Sequence, residues 1–268
     1  YAVRGALVLR ANELEASGSK IIYTNIGNPQ QLGQRALTFP REVMAAAALL
    51  KTASGERDLR ALLSADAIER ASHLLGGSTN LALGSYSHSQ GLETVRKHVA
   101  EYITQRDAAV APSAPAARAN DVFCSDGASP AVQRVLNAVV RSANDAVLIP
   151  YPQYPLYTAA LAAVGGTPAP YYLDEEAGWQ MTVEELDRAY DDVVETTGAT
   201  PRALAIINPG NPTGQVLTRE TVRDVLQWAH RRRIDAIVSD EVYQDNVYEE
   251  TARFYSARSV FFEDVLPS

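Results

Sequence analysis

Asn208-Pro209-Gly210-Asn211-Pro212-Thr213-Gly214 separates an apolar run at residues 203–207 from a polar helical pattern that begins at Thr218. Proline removes a backbone donor and fixes φ, and glycine permits positive φ, so this stretch continues neither a strand nor a helix. It predicts a rigid loop at the carboxyl end of a buried strand, the edge at which open α/β sheets bind ligands. The alternative is a tight strand-to-helix turn without chemistry.

Strand and helix patterns alternate on both sides of this loop. Apolar strand-like runs occur at residues 122–124, 146–149, 171–173, 203–207 and 236–239. Helical patterns lie between them at residues 130–140, 156–164, 183–190 and 218–232. This alternation predicts an α/β fold with a parallel sheet and helices on its faces. The first 106 residues instead show helical patterns at residues 1–20, 40–75 and 92–106, with a break near 52–55.

Composition narrows the class of protein. The 268 residues are 46% hydrophobic and 21% charged, which is typical of a globular chain. The formal net charge of −8 argues against a nucleic acid or an anionic membrane as partner, and no apolar run approaches the roughly 18 residues of a membrane helix. Cys124 is the single cysteine, so an internal disulfide is excluded, and the four histidines lack zinc-site spacing, so we predict no metal.

The ends of the sequence bear on its location in the cell. The chain begins with Tyr1 rather than methionine, and we interpret both ends as cut. A targeting peptide could have stood upstream. We therefore expect a cytoplasmic protein and leave a mitochondrial one open.

A second loop, Ser125-Asp126-Gly127-Ala128-Ser129, stands between a predicted strand and a predicted helix. The start of a helix presents free N–H groups and the positive end of the helix dipole, and small residues let an anion come close. The loop differs from the dinucleotide-binding and ATP-binding glycine motifs. It predicts a phosphate cradle, and the alternative is an ordinary N-cap formed by Ser125 or Asp126.

Further candidate side chains follow the other strands. Tyr154 stands between two prolines and could stack on a flat heteroaromatic ring, or be an ordinary packed tyrosine. Asp240, at the end of a strand, would need a positive partner such as a protonated pyridine nitrogen, or would be an N-cap. Asn211 and Tyr243 could both hydrogen-bond a phenolate oxygen. A phosphorylated pyridine satisfies all these loops together.

The chain resembles the class I/II aminotransferases, which are pyridoxal-phosphate enzymes of fold type I, and within them most closely the alanine aminotransferases. The motifs that carry the resemblance are residues 1–5 (Tyr-Ala-Val-Arg-Gly), 25–30 (Asn-Ile-Gly-Asn-Pro-Gln), 33–35 (Gly-Gln-Arg), 83–87 (Leu-Gly-Ser-Tyr-Ser), 152–157 (Pro-Gln-Tyr-Pro-Leu-Tyr), 171–175 (Tyr-Tyr-Leu-Asp-Glu), 208–216 (Asn-Pro-Gly-Asn-Pro-Thr-Gly-Gln-Val) and 240–248 (Asp-Glu-Val-Tyr-Gln-Asp-Asn-Val-Tyr). They span nearly the whole sequence, and the last three are specific.

The resemblance implies a role for each candidate residue toward pyridoxal 5′-phosphate. The cofactor phosphate would be held by Gly127, Ala128 and Ser129, and Tyr154 would stack on the ring. The phenolic oxygen of the ring would bind Asn211 and Tyr243. Asp240 would keep the ring nitrogen protonated, so that the ring can take up electrons from the substrate Cα.

The resemblance also implies an architecture. It predicts a mostly parallel, seven-stranded-type sheet, incomplete here, in a cofactor-binding large domain at residues 83–268. Residues 1–82 would form an N-terminal arm and part of a small domain. The family's sites lie at a homodimer interface, so Tyr86 would reach the phosphate of the neighbouring subunit's cofactor and Gly27 would lie beside the substrate carboxylate.

One departure from the family pattern is large. The family's Schiff-base lysine follows the segment that corresponds to Asp240–Tyr243, whereas this sequence has only Lys20, Lys51 and Lys97. The arginine that binds the substrate carboxylate near the family's C-terminus is missing as well. We therefore interpret the chain as a piece of a longer enzyme and expect these residues alone not to transaminate.

The function implied is transfer of an amino group between L-alanine and a 2-oxo acid, 2-oxoglutarate. Glyoxylate is a close variant of this acceptor, and these residues do not distinguish the two. One alternative is a non-catalytic fold-type-I relative that binds a ligand or partner. A weaker alternative is a related lyase or synthase such as an aminocyclopropane-carboxylate synthase. The alanine-type signatures at residues 25–30 and 244–248 count against it.

Overall fold

A computed structural model describes residues 5–24, 27–50, 58–76 and 86–266. The motif residues at 1–4, 25–26 and 83–85 lie outside the described residues. The chain divides into two compact units. The first comprises Tyr1–Ser17, Thr104–Pro115 and Ser125–Ser268, and the second comprises Gly18–Ile103 and Ala116–Cys124. The domain boundary after residue 82 stays a prediction.

The described helices follow the predicted order. They are α1 (Ala6–Ala16), α2 (Thr38–Leu49), α3 (Ala65–Gly76), α4 (Glu93–Ala108), α5 (Ala128–Val139), α6 (Leu156–Val164), α7 (Val183–Thr197), α8 (Arg219–Arg231) and α9 (Ala257–Val260). A π-helical turn, Phe261–Val265, follows α9. In the part of the chain that the structure describes, no helix is both long and apolar enough to cross a membrane.

The second unit has a small helical core. Helices α2 and α3 pack together through Val43 and Ala46 of α2 and through Ala67, Ile68 and Ala71 of α3. These positions recur at the spacing of one helical face, so burial of the two faces against each other holds the pair.

The first unit contains a parallel sheet of four described strands in the order β2-β1-β3-β4. The strands are β1 (Asp145–Tyr151), β2 (Thr167–Tyr172), β3 (Thr200–Ile207) and β4 (Ala236–Asp240). The chain adds β2 on one side of β1 and then returns to add β3 on the other. The carboxyl ends of β1 and β3 therefore flank a topological switch point, where doubly wound sheets leave a crevice for ligands.

Both faces of the sheet are covered by helices. Alternate residues of a strand point to opposite faces, and in β1 Val147 and Ile149 pack toward α5 and α6, whereas Ala146 and Leu148 pack toward α7 and α8. Burial on both sides explains why the strands read as continuous apolar runs. The predicted α/β fold with a parallel sheet is thus confirmed.

The predicted strand at residues 122–124 is wrong. Val122 has extended backbone angles, φ −98 and ψ 127, but the segment joins no sheet. Cys124 N instead donates to Gln90 O at 2.8 Å, and Phe123 is 71% exposed. Three apolar residues have strand propensity, but propensity supplies no neighbour to pair with.

The loop Asn208–Gly214 is held from beneath by two buried side chains. Asn208 accepts a hydrogen bond from Leu217 N at 2.9 Å and donates to Tyr255 O at 3.4 Å. Gln215 packs directly under Gly210, whose N–H donates to Gln215 O at 2.9 Å. A Cβ at Gly210 would lie 2.0 Å from Gln215 Oε1 and 2.5 Å from its Cδ. The loop thus requires glycine here because of close packing.

We expect Gly210→Ala to destabilise the protein by about 1–3 kcal/mol, the usual range for overpacking. Gln215 cannot retreat freely, since it is buried and its Oε1 accepts a hydrogen bond from Thr213. Urea unfolding measures the effect. Gly76→Ala is the control, because a Cβ at Gly76 meets nothing within 4 Å. Equal stability of the Gly210→Ala variant and the wild type would contradict this account of the loop.

Asp145 anchors the start of β1. Its carboxylate accepts hydrogen bonds from Arg141 Nη2 at 3.1 Å and Arg202 Nε at 2.9 Å. These two guanidinium groups hold the pKa of Asp145 well below its usual range. A lowered pKa means that the folded state favours the charged carboxylate, so this stabilisation is present above the unfolded-state pKa and is lost as the pH falls through the folded-state value.

We therefore expect Asp145→Asn to lower the urea midpoint at neutral pH, and the difference from wild type to shrink as the pH falls below about 4. Asp235→Asn is the matched control, since Asp235 contacts the same Arg202 at 3.2 Å but is half exposed. A midpoint difference that stays constant with pH would exclude a charge effect at Asp145.

Candidate functional site

Three loops of the first unit follow the carboxyl ends of β1, β3 and β4, as the sequence predicted. They comprise residues 152–155, Asn208–Gly214 and the turn after Asp240. Ile207 and Asp240 are register partners, and Asn208 N donates to Asp240 O at 2.9 Å. The two loops after β3 and β4 therefore start side by side.

The Asp240 carboxylate is fixed by a buried tyrosine. Tyr157, on α6 and 1% exposed, donates its hydroxyl hydrogen bond to Asp240 Oδ2 at 2.8 Å. Oδ1 accepts a longer bond from Val242 N at 3.3 Å. Burial, together with the negative charge of Asp240, raises the pKa of Tyr157, so its hydroxyl remains a donor. A carboxylate held in this way keeps lone pairs for a further donor.

Tyr157 is the site residue that the sequence reasoning missed. It lies in the 152–157 motif, in which the sequence analysis assigns a role to Tyr154 alone. A signal is available, because Tyr157 is the second residue of an apolar helix in which Leu156, Ala160 and Leu161 are also buried. A tyrosine at a buried position needs a partner for its hydroxyl, and here the partner is a predicted site residue.

Asn211 and Tyr243 come together across two loops. Asn211 Nδ2 donates to the Tyr243 hydroxyl at 3.2 Å. This amide–phenol pair leaves the second N–H of the Asn211 amide and the Tyr243 O–H as donors. Tyr243 is 37% exposed, so the pair remains accessible to a ligand.

The loop at residues 125–129 opens helix α5. Gly127 is its N-cap residue, with φ 95 and ψ 177, and no side chain caps the described helix start. Ser125 Oγ donates to Gly127 O at 2.8 Å instead, so the alternative of a Ser125 or Asp126 cap is wrong. The first N–H groups of α5, starting at Ala128 and Ser129, thus have no side-chain cap, as an anion-binding helix start requires.

The remaining predicted residues have less defined surroundings. Tyr154 is partly buried and packs against the cluster formed by α5, α6 and the sheet. Beside it, Gln153 donates to Thr158 Oγ1 at 2.7 Å, and its buried Oε1 has no hydrogen-bond partner. Gly27 and Tyr86 belong to the second unit, and both are exposed there. Stacking by Tyr154 and the roles of Gly27 and Tyr86 stay predictions.

The donor set in the first unit fits a phosphorylated pyridine. Asp240 offers a fixed negative oxygen to a protonated ring nitrogen, and the Asn211–Tyr243 pair offers donors to a phenolate oxygen. The uncapped start of α5 offers N–H groups to a phosphate. Helix α5 also packs against β4, the strand that ends in Asp240.

A family model described as aminotransferase class I and II matches residues 52–265. Glutamate–glyoxylate aminotransferase 1 of Arabidopsis thaliana is 46% identical over 98% of this chain and 53% of its own length. Mitochondrial alanine aminotransferase 1 of the same plant is 44% identical over 97% of this chain and 48% of its own length. The chain thus spans about half the length of the curated relatives it matches.

Solved structures give the same result for the fold. An alanine aminotransferase from Pyrococcus furiosus superposes with a TM-score of 0.70 at 28% identity, over 97% of this chain and 54% of that chain. An aminotransferase from Escherichia coli gives a TM-score of 0.69 at 26% identity, over 97% and 52% of the two chains. The predicted resemblance is confirmed, and the chain belongs to the class I and II aminotransferases.

Proposed function

We propose that this protein is a pyridoxal 5′-phosphate-dependent aminotransferase that moves an amino group between L-alanine and a 2-oxo acid, with 2-oxoglutarate as the acceptor. The observation that supports this most is the Asp240 carboxylate, held by Tyr157 beside the Asn211–Tyr243 pair. Relatives at 40–46% identity are named as alanine or glutamate–glyoxylate aminotransferases, which supports the same reaction class.

In this proposal each residue acts on one part of the cofactor. Asp240 would hold a proton at the ring nitrogen, and the hydrogen bond from Tyr157 keeps the Asp240 carboxylate oriented. Asn211 and Tyr243 bind the phenolic oxygen, Tyr154 covers the ring, and the α5 start at Gly127, Ala128 and Ser129 binds the phosphate. When bound, pyridoxal phosphate supplies a ring that takes up electrons from the substrate Cα.

The proposed enzyme works as a homodimer, in which Tyr86 reaches the phosphate bound by the partner subunit and Gly27 lies beside the substrate carboxylate. The sequence carries Lys20, Lys51 and Lys97 only. The family's Schiff-base lysine follows the segment that corresponds to Asp240–Tyr243, and none of these three lysines does. The tests on this chain therefore measure cofactor binding rather than turnover. The interpretation as part of a longer enzyme remains a prediction, and so does a cytoplasmic or mitochondrial location.

A second candidate is glutamate:glyoxylate transamination, favoured by the 46% identity to a plant enzyme of that name. Turnover by the product of the complete gene, with alanine and 2-oxoglutarate against glutamate and glyoxylate, separates the two. A non-catalytic binding protein is the third candidate. The product of the complete gene would then lack a Ser-x-Ser-Lys-like stretch, and borohydride reduction would fix no pyridoxyl group on any one of its lysines.

We expect Asp240→Asn to weaken binding of pyridoxamine 5′-phosphate to the full chain roughly 10- to 100-fold, the usual effect of removing a charged hydrogen-bond partner. Fluorescence titration measures the dissociation constant, and circular dichroism checks the fold. Asp245→Asn, an exposed acid five residues further on, is the control. Unchanged affinity in a folded Asp240→Asn variant would exclude the role given to this carboxylate.

We expect Tyr157→Phe to weaken the same binding by a smaller factor, about 3- to 10-fold, because the neutral hydrogen bond acts on the ligand through Asp240. Tyr171→Phe is the matched control. Tyr171 is also 1% exposed, but its hydroxyl donates to the backbone oxygen of Ala205 at 2.8 Å. Both variants should lose similar stability in urea, and only Tyr157→Phe should lose affinity. Equal affinities of the two variants would remove Tyr157 from the site.

A further inference from the structure

Glu241 lies directly between two residues of the proposed site, Asp240 and Tyr243, yet it has no part in the binding described above. Its side chain is 16% exposed. Glu241 Oε1 accepts two hydrogen bonds, from Ser239 Oγ at 2.8 Å and from Ala257 N at 2.9 Å. Burial raises the pKa of Glu241, and these hydrogen bonds oppose the rise. Removing a carboxylate this far from water costs free energy, and the hydrogen bonds to Glu241 offset part of that cost.

The second oxygen of Glu241 faces an arginine that also holds the other end of the turn. Arg106 Nη1 lies 3.5 Å from Glu241 Oε2 and donates to Gln244 Oε1 at 3.0 Å. The backbone closes the same turn, since Gln244 N donates to Glu241 O at 3.0 Å. One guanidinium group therefore clamps both ends of the turn that carries Tyr243.

This guanidinium group is itself fixed. Arg106 Nε donates to Asp107 Oδ1 at 2.9 Å, and Asp107 is only 2% exposed. Asp107 in turn accepts hydrogen bonds from Ser256 Oγ at 3.1 Å and from Arg258 Nη1 at 2.5 Å. The end of α4, the turn after β4 and the start of α9 are thus joined by one network of charged groups, in which Asp107 is buried and the others are partly buried.

The network lies on the opposite side of the turn from the proposed ligand. Side chains of successive residues in a strand alternate between faces, so Ser239 and Glu241 share one face and Asp240 points to the other, where Tyr157 lies. Glu241 therefore does not compete with a ligand for Asp240. By fixing the backbone of the turn, Glu241 can determine the positions of the Asp240 and Tyr243 side chains.

We propose that Glu241 is a positioning residue: its partly buried carboxylate fixes the turn between Asp240 and Tyr243. It thereby sets the spacing between the group that faces the ring nitrogen and the group that faces the phenolic oxygen. This inference rests on the proposed function. It predicts that loss of the charge loosens recognition of the pyridine ring and leaves the phosphate contact at the start of α5 unchanged.

The test uses the full chain and two probes, pyridoxamine 5′-phosphate, which carries ring and phosphate, and inorganic phosphate, which carries no ring. We expect Glu241→Gln to weaken pyridoxamine 5′-phosphate about 10-fold and to leave the affinity for phosphate unchanged. Glu185→Gln is the matched control, because Glu185 is also partly buried, accepts a backbone hydrogen bond from Tyr172 N at 2.7 Å and pairs with Arg188. It should lose stability without any change in affinity.

A mutant cycle in which Glu241→Gln is combined with two substitutions in the site separates a positioning effect from a general loss of stability. If Glu241 acts through the turn, the effect of Glu241→Gln should shrink to less than about 2-fold when Tyr243→Phe and Asp240→Asn are already present. Independent, multiplicative effects would overturn the inference. If Glu241→Gln does not fold, Ser239→Ala removes one donor to the same carboxylate and should weaken ring binding by about 2- to 3-fold. Unchanged affinity in Ser239→Ala would then overturn it.

The outcomes also distinguish this inference from the proposed function. Wild-type protein that binds pyridoxamine 5′-phosphate no better than inorganic phosphate would defeat both. Wild-type binding that depends on Asp240 but is indifferent to Glu241→Gln would keep the function and overturn the positioning role. Equal weakening of both probes would also overturn it, because a turn-specific effect must spare the phosphate.

Discussion

The structure depends on how a carboxylate is held at the end of a partly buried strand. Asp240 ends β4, and Tyr157 donates to it from α6, on the face of the sheet that α5 and α6 cover. An unpaired charge there would be expensive to desolvate, so the fold provides one fixed donor and leaves room for a second partner. The position of β4 beside β3 then brings Asn208 and the Asn211 loop alongside.

Neighbouring side chains around the turn after Asp240 point in opposite directions. The Asp240 carboxylate accepts a hydrogen bond from Tyr157, whereas Ser239 donates to Glu241, whose second oxygen lies 3.5 Å from Arg106. In the proposed site, the residue that faces the ligand and the residues that fix the turn therefore lie on opposite faces of residues 239–243. Under that proposal, a substitution at Ser239 or Glu241 changes ligand affinity without removing a contact to the ligand.

Much of this could be predicted from the sequence, because the signals are local. The Asn208–Gly214 loop, the starts and ends of most helices and the strands β1 to β4 follow from turn chemistry and apolar periodicity. The location of Asn211, Asp240 and Tyr243 at one sheet edge could be predicted because polar residues at the ends of parallel strands share that edge. The prediction of a strand at residues 122–124 was wrong because a strand must pair with a neighbouring strand, which the local sequence does not specify. Tyr157 and Glu241 were missed because their partners lie 83 residues and 16 residues away in the chain.

The proposed binding crevice takes its residues from three strands that are distant from one another in the chain. Tyr154 and Asn211 follow β1 and β3, and Asp240 ends β4, so these residues come together only when all three strands have paired. Pairing of strands that are distant in the chain is slow compared with forming a helix. The proposed crevice is therefore complete only in chains whose sheet has formed. A small molecule bound in it would select finished sheets from the population and protect them from proteolysis by mass action.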